Sequence, residues 1–184
     1  MPNNIINRIT LIDATEKEIE EFKAKYFNDE EEFDFEKVIA TPAELRATEE
    51  ATTTPQKVYD SNKRKYGFRS WYDWRLANWG TKWNSYYNEG WCENSFKFQT
   101  AWSCPFEIVM ELSKQNPHLH FQIEFACEFI GEYVGVYEFK NGEAIKQNRY
   151  PDGSKEAYEL AFELDECAKK YYQYNDTIGT YESK

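Results

Sequence analysis

The densest chemistry in the chain is one run of seven residues, Asn78-Trp79-Gly80-Thr81-Lys82-Trp83-Asn84. With Trp71, Trp74 and Arg75 just upstream, it offers flat aromatic faces, cationic groups and amide hydrogen-bonding groups. That mixture suits stacking on bases or gripping a peptide. The same residues also have structural uses. Gly80 permits a left-handed helix end, the Asn side chains satisfy turn backbone, and Trp rings can plug an insertion onto a sheet. Large aromatics dominate core burial far more often than sites, which favours the structural use. The binding patch to test is Trp71, Trp74, Arg75, Asn78, Trp79, Lys82, Trp83 and Asn84.

Other reactive types are sparse. His118 and His120 fall on one side of an alternating segment, with Glu124 and Cys127 near in sequence, as zinc ligands can be. No third ligand is fixed by spacing, so no metal or other cofactor is expected. Cys92, Cys104, Cys127 and Cys167 form no C-x-x-C pair and no zinc-ribbon spacing. They read as four reduced thiols of a cytoplasmic protein. A cysteine nucleophile needs a base, and no histidine is close to one in sequence. There is no G-x-S-x-G, no phosphate loop and no G-x-G-x-x-G. The run Asp29-Glu30-Glu31-Glu32 reads as a solvated turn. The expectation is a protein that is not an enzyme.

The chain has 184 residues and a formal net charge of -11. That length suits one domain, or one domain with a large insertion. No apolar run is long enough to span a membrane, and Met-Pro-Asn-Asn does not open a signal peptide. The charge is uneven: residues 1–60 carry -8, residues 61–104 carry +4 and residues 105–184 carry -7. All six tryptophans lie in the basic middle.

The elements that must position these groups are partly legible. Residues 5–12 alternate as a strand. Thr15 and Glu18 form a capping box for a helix over about 16–27. Residues 33–40 read as a second strand, stopped by Thr41-Pro42. Residues 43–70 are polar, with a loop at 52–55, and a helix runs between Ser70 and Gly80. Residues 95–102 read as a strand with Phe96, Phe98 and Trp102 on one face. Pro105 opens a helix whose apolar side is Phe106, Val109, Met110 and Leu112. Residues 118–127 alternate strictly, and Asn141-Gly142 signals a hairpin between 132–140 and 143–149. That edge hairpin could add strands between chains. A last helix is expected over about 154–174.

Two split βαβ units imply an α+β ferredoxin-like sandwich with an antiparallel sheet. Its core is residues 1–42 and 95–128. A Trp-rich insertion at 43–94 falls between strands two and three, and 129–184 add a hairpin and a helix.

The opening Met-Pro-Asn with Asn7, the run Asn78–Asn84, and Thr100-Ala101-Trp102-Ser103-x-Pro105 occur in that order. Together they resemble the YubB-like family, a ferredoxin-like domain in proteins of bacteriophages and conjugative plasmids. The resemblance extends from Met1 to about Gly142. Asn4-Ile5 stands where the family has Trp-Cys, and Cys104 where it has the first of two prolines. The resemblance implies the fold and a mobile-element setting, and carries no catalytic residues.

The expected role is to bind another macromolecule through the aromatic, basic insertion. A protein partner is favoured over nucleic acid because the chain as a whole repels phosphate. RNA binding through the sheet would need aromatics on both central strands; Phe96 and Phe98 could supply one, but the first strand has none. An alternative is that the acidic surface mimics phosphates and occupies a host protein; nucleic-acid binding by the +4 segment, or an enzyme with a cryptic Cys-His or carboxylate site, is the lesser reading. The partner itself is not specified by sequence.

Overall fold

The computed structural model describes residues 3–184. Met1 and Pro2, part of the opening motif, lie outside them. Strand β1, Asn4–Ile12, alternates as its sequence predicts. Ile5, Asn7, Ile9 and Leu11 are buried on one face, while Ile6, Arg8 and Thr10 take the other. Helix α1, Glu16–Tyr26, begins at the capping box of Thr15 and Glu18 and buries Ile19, Phe22 and Tyr26.

The expected strand at 33–40 is not formed. Phe35–Lys37 is a single 3-10 turn, and Phe33 makes only an isolated bridge to Phe27. The reason is where its backbone bonds go. Asn88 takes the Phe33 N–H, Asn84 takes the Phe35 N–H, and Asp34 takes that of Glu36. Side chains replace a ladder, although Phe33 and Phe35 still enter the core.

Residues 43–70 are polar and largely helical, and the loop expected at 52–55 lies between two helices. Helix α2 is Ala43–Glu50 and α3 is Gln56–Tyr66. Each starts directly after a proline, Pro42 and Pro55, a placement that helix starts tolerate well. Buried Asn62 joins them by donating to the Glu44 and Arg69 carbonyls. Helix α4, Trp71–Asn78, lies where expected.

Strand β2 is only Trp91–Cys92 and pairs with β3, Ser95–Ala101. It occupies the second-strand position of the ferredoxin-like order. The insertion therefore precedes strand two instead of following it. After β3 come α5, Phe106–Gln115, and β4, His120–Cys127. Met110 of α5 is exposed, not part of its apolar side. Strands β5, Gly135–Lys140, and β6, Glu143–Arg149, flank Asn141-Gly142, both at positive φ as a tight hairpin requires. The sheet is antiparallel, in the order β2-β3-β1-β4-β5-β6.

Free edge β6 carries exposed Glu143, Lys146 and Arg149, and its register shifts opposite Glu138/Phe139. Charge and a bulge are the usual guards against edge-to-edge pairing.

Helix α6, Lys155–Leu164, is ten residues shorter at its C-terminus than expected. Asp165 stops it, accepting the Cys167 N–H on its side chain and the Ala168 N–H on its carbonyl. The chain then forms a separate hairpin, β7 (Tyr172–Asn175) with β8 (Thr180–Ser183).

The main core lies between one sheet face and α1, α5 and the insertion. A smaller cluster seats Ala157, Leu160, Ala161 and Leu164 of α6 against Ala126 and Val134, with Ile6 beside them. So α6 covers part of the sheet face that RNA-recognition folds leave open. Phe96 and Phe98 are not on that face; both are buried in the main core. No helix among the described residues is long and apolar enough to cross a membrane.

Candidate binding surface

The structure divides the eight patch residues. Trp74 and Trp79 are buried, and Trp79 Nε1 donates to the Ile39 carbonyl at 2.8 Å. Arg75 is buried between the rings of Trp71 and Trp79, at 5.1 and 4.5 Å from their centres. Its guanidinium reaches Glu36 at 3.1 Å, Glu49 at 2.9 Å and the Thr41 hydroxyl at 3.2 Å. Asn78 Nδ2 donates to the Trp74 carbonyl. Asn84 Oδ1 accepts the Phe35 and Ser85 N–H groups, and its Nδ2 donates to Asp34. Trp79, Arg75 and Asn84 thus tie the insertion to residues 34–41, while the Asn78 side chain bonds within its own helix. Trp71, Lys82 and Trp83 keep exposed surface.

Gly80 marks the change from core to surface. Its φ is +76, and an added Cβ would stand 2.1 Å from Glu107 Oε2 and 3.4 Å from the Cys104 carbonyl. Gly67 has a similar φ of +79 with nothing within 4 Å. Both Ala substitutions carry the left-handed penalty of about 1–2 kcal/mol. Gly80→Ala is expected to cost slightly more, because the Glu107 carboxylate, the far end of a flexible side chain, must swing aside. Urea midpoints of the two variants compare them directly; equal losses would remove the Glu107 contact from the account.

Around Gly80 the three sequence motifs interlock. Asn7 Nδ2 donates to Thr100 Oγ1 at 2.9 Å, and Thr100 Oγ1 donates to the Ser103 carbonyl at 2.7 Å. Thr81 Oγ1 donates to the Ala101 carbonyl at 2.8 Å, and Ser103 Oγ donates to the Gly80 carbonyl. The Trp102 N–H donates to the Asn3 carbonyl at 2.8 Å. This clasp holds Trp102 at φ 73, a left-handed conformation rare for a bulky side chain.

The ring so presented is 44% exposed, and Trp83 is 39% exposed. Lys82 Nζ lies between them, 3.7 Å from the Trp83 ring centre and 3.9 Å from that of Trp102. Tyr72 meets Trp102 at 6.4 Å, and Trp71 meets Tyr72 at 5.7 Å. On the far side Trp83 meets Tyr86 at 6.4 Å, and Tyr86 meets Tyr87 at 5.5 Å. A continuous aromatic ridge thus runs from Trp71 to Tyr87, with one ammonium at its middle. Tyr87 is 72% exposed and is also left-handed, at φ 48. Burial, then the nearby Glu128, pushes the Tyr86 hydroxyl up to about 12. It remains a neutral donor, held by Asn4 Oδ1 at 2.8 Å.

Trp102, Tyr72, Tyr86 and Tyr87 were absent from the sequence-derived patch. The only sequence signal for Trp102 was its motif; its neighbours are set by a loop whose path the sequence does not reveal.

The other candidates go elsewhere. His118 faces Glu18 of α1 at 3.9 Å, whereas His120 pairs with Glu138 of β5 at 3.1 Å. Burial raises the Cys104 and Cys127 thiols, opposite to what a thiolate nucleophile needs. On the partly covered sheet face, a cleft of about 620 Å³ is lined by Arg8, Glu159, Glu163, Glu166, Phe162, Lys169 and Tyr181. Arg8 is engaged there by Glu124 at 2.6 Å and lies 3.6 Å from Glu163.

Fold and site together define a ferredoxin-like α+β domain that carries an aromatic insertion. Residues 79–173 match the family described as the ferredoxin-like domain in Api92-like protein. That is just over half of the chain, and the protein belongs to this family. The chain is also similar to the crystal structure of a protein api92 from Yersinia pseudotuberculosis, at 17% identity and a TM-score of 0.36. That similarity covers 52% of this chain and 36% of that one. No curated protein matches the chain. What this match shows is the Api92-like ferredoxin-like domain. Lys82, Trp83, Tyr86, Tyr87 and Trp102 fall inside the matched residues, and Trp71 and Tyr72 fall outside.

Proposed function

We propose that the protein is a non-catalytic binding module of a phage or plasmid type of element, acting in the bacterial cytoplasm. It engages a protein partner through the aromatic ridge. The observation that carries this reading is Trp102. A left-handed bulky residue costs about 1–3 kcal/mol, and strain of this kind clusters at binding and active sites. Here the strain does not serve burial, since the ring stays exposed beside Trp83. Four free cysteines, two of them exposed, fit a reducing compartment. The mobile-element setting rests on the resemblance of the three motifs.

A protein partner fits better than nucleic acid. Exposed Trp and Tyr are the residues that dominate protein interfaces. The ridge has one cation at its centre, already held by two rings, and the net charge of -11 opposes phosphate.

The test is a Trp83→Ala, Trp102→Ala double variant. Its stability is expected to stay within about 1 kcal/mol of the parent, since exposed rings contribute little to folding. Immobilised parent protein should retain a protein from host extract, before and after nuclease treatment, and the double variant should not. Retention abolished by nuclease would make the ligand a nucleic acid. Equal retention by the double variant would move the site off the ridge, to the acidic surface of the chain. Either result overturns the proposal.

A further inference from the structure

We infer that the slot between Trp83 and Trp102 is a receptor for a weakly hydrated cation, guanidinium or quaternary ammonium, carried by the partner. Lys82 fills that slot in the free protein as a built-in competitor. The inference rests on the ridge being the docking surface.

Two ring faces already converge on one ammonium in the slot. Nζ of Lys82 lies 3.7 and 3.9 Å from the two ring centres, well inside the reach of a cation–π contact. The ring centres therefore stand at most 7.6 Å apart, the combined length of those two contacts. One cationic group fits between two aromatic faces.

A comparison within the molecule separates this contact from a structural one. Arg75 is also held between two indoles, Trp71 and Trp79. It is buried, and it is neutralised by Glu36 and Glu49. Lys82 lies at the surface, and among the described residues no carboxylate pairs with it. Its ammonium is retained by ring faces alone, on a flexible stem, beside two half-exposed rings. Such a contact amounts to about 0.5–1 kcal/mol at an exposed site, so it is readily exchanged.

The charge of the incoming group follows from the chain. At long range the net charge of -11 draws cationic partners to the molecule, while the segment that holds the slot itself carries +4, so selection at the slot comes from the ring faces. Between cations, guanidinium and methylated ammonium shed water more easily than a primary ammonium. They would therefore displace Lys82, whereas an unmodified lysine would gain little.

Two probes test this: tetramethylammonium chloride and N-acetyl-argininamide, each titrated against sodium chloride of equal ionic strength. The readouts are tryptophan fluorescence and the indole N–H resonances. With Lys82→Ala, at least one probe is expected to give a saturable change at about two- to fivefold lower concentration than with the parent, the factor for losing about 0.5–1 kcal/mol of competition. Two indole resonances, those of Trp83 and Trp102, should move. Lys82→Met, which keeps the stem but not the charge, should fall between the two. Adding Trp102→Ala to Lys82→Ala should abolish the response. If Lys82→Ala responds no better than the parent, or keeps its response without Trp102, the cation receptor is refuted. The relative response to the two probes says which cation is preferred. If the probes fail while partner retention still depends on Trp83 and Trp102, only the cation receptor is lost. If retention is also indifferent to those residues, the docking surface falls with it.

Discussion

Arg75→Ala is expected to lower stability by about 3 kcal/mol, the lower end of the range for breaking a buried ion pair. Arg75 is 6% exposed and serves two carboxylates, one hydroxyl and two indole faces. Glu36 and Glu49 keep 21% and 33% of their side-chain surface, so solvent screens part of the loss. What the truncation leaves is two carboxylates facing each other over a void. Glu36 is further committed, because it accepts the Thr41 N–H at 2.6 Å. Urea unfolding followed by circular dichroism measures the change. Arg75→Met combined with Glu36→Gln and Glu49→Gln should recover much of it, since the stranded charges go with their partner. A loss below about 1 kcal/mol for Arg75→Ala would mean that the network is a screened surface contact.

Trp79→Ala is expected to cost about 3–5 kcal/mol, as large-to-small changes in a packed core do. The ring is fully buried, edge-on to Phe35 and Trp74. Its N–H also satisfies the Ile39 carbonyl. Trp79→Phe separates the two effects: it keeps most of the bulk, and should cost about 1–2 kcal/mol for the lost hydrogen bond and the smaller ring. The useful comparison is with Trp83, four residues on and half-exposed. Trp83→Ala should change stability by less than about 1 kcal/mol and act on binding instead. Similar stability losses at the two positions would show that the whole run is core, and the ridge would lose its central ring.

Local chemistry made much of the fold legible. The capping box of Thr15 and Glu18 starts α1 because it satisfies two orphan N–H groups without tertiary help. Asn141-Gly142 makes its hairpin because both residues tolerate positive φ. Alternation in 5–12 and 118–127 marked two strands because one face of each meets the core. Segments decided by distant partners were misread. Residues 33–40 have strand composition, but Asn84 and Asn88, some fifty residues away in sequence, take their backbone N–H groups. Trp91–Cys92 is too short to signal a strand, and is one only because the edge of β3 is free beside it. Residues beyond Leu164 continue an apolar pattern, yet Asp165 caps the helix and the chain turns into a hairpin.

The candidate site divides in the same way. By itself the sequence determined that the chemistry is aromatic and basic, that it sits in an insertion, and that the rest of the chain is acidic. Those are properties of composition and order along the chain. Only the tertiary structure decided which rings are core and which are surface. Trp74, Trp79 and Trp83 are alike in sequence terms, and spacing cannot distinguish a ring that meets Phe35 from one that meets solvent. Trp102 joins Lys82 and Trp83 because Asn7, Thr81, Thr100 and Ser103 close a clasp across three separate segments. A contact between segments depends on where the chain brings them, which is a property of the folded molecule and not of any stretch of its sequence.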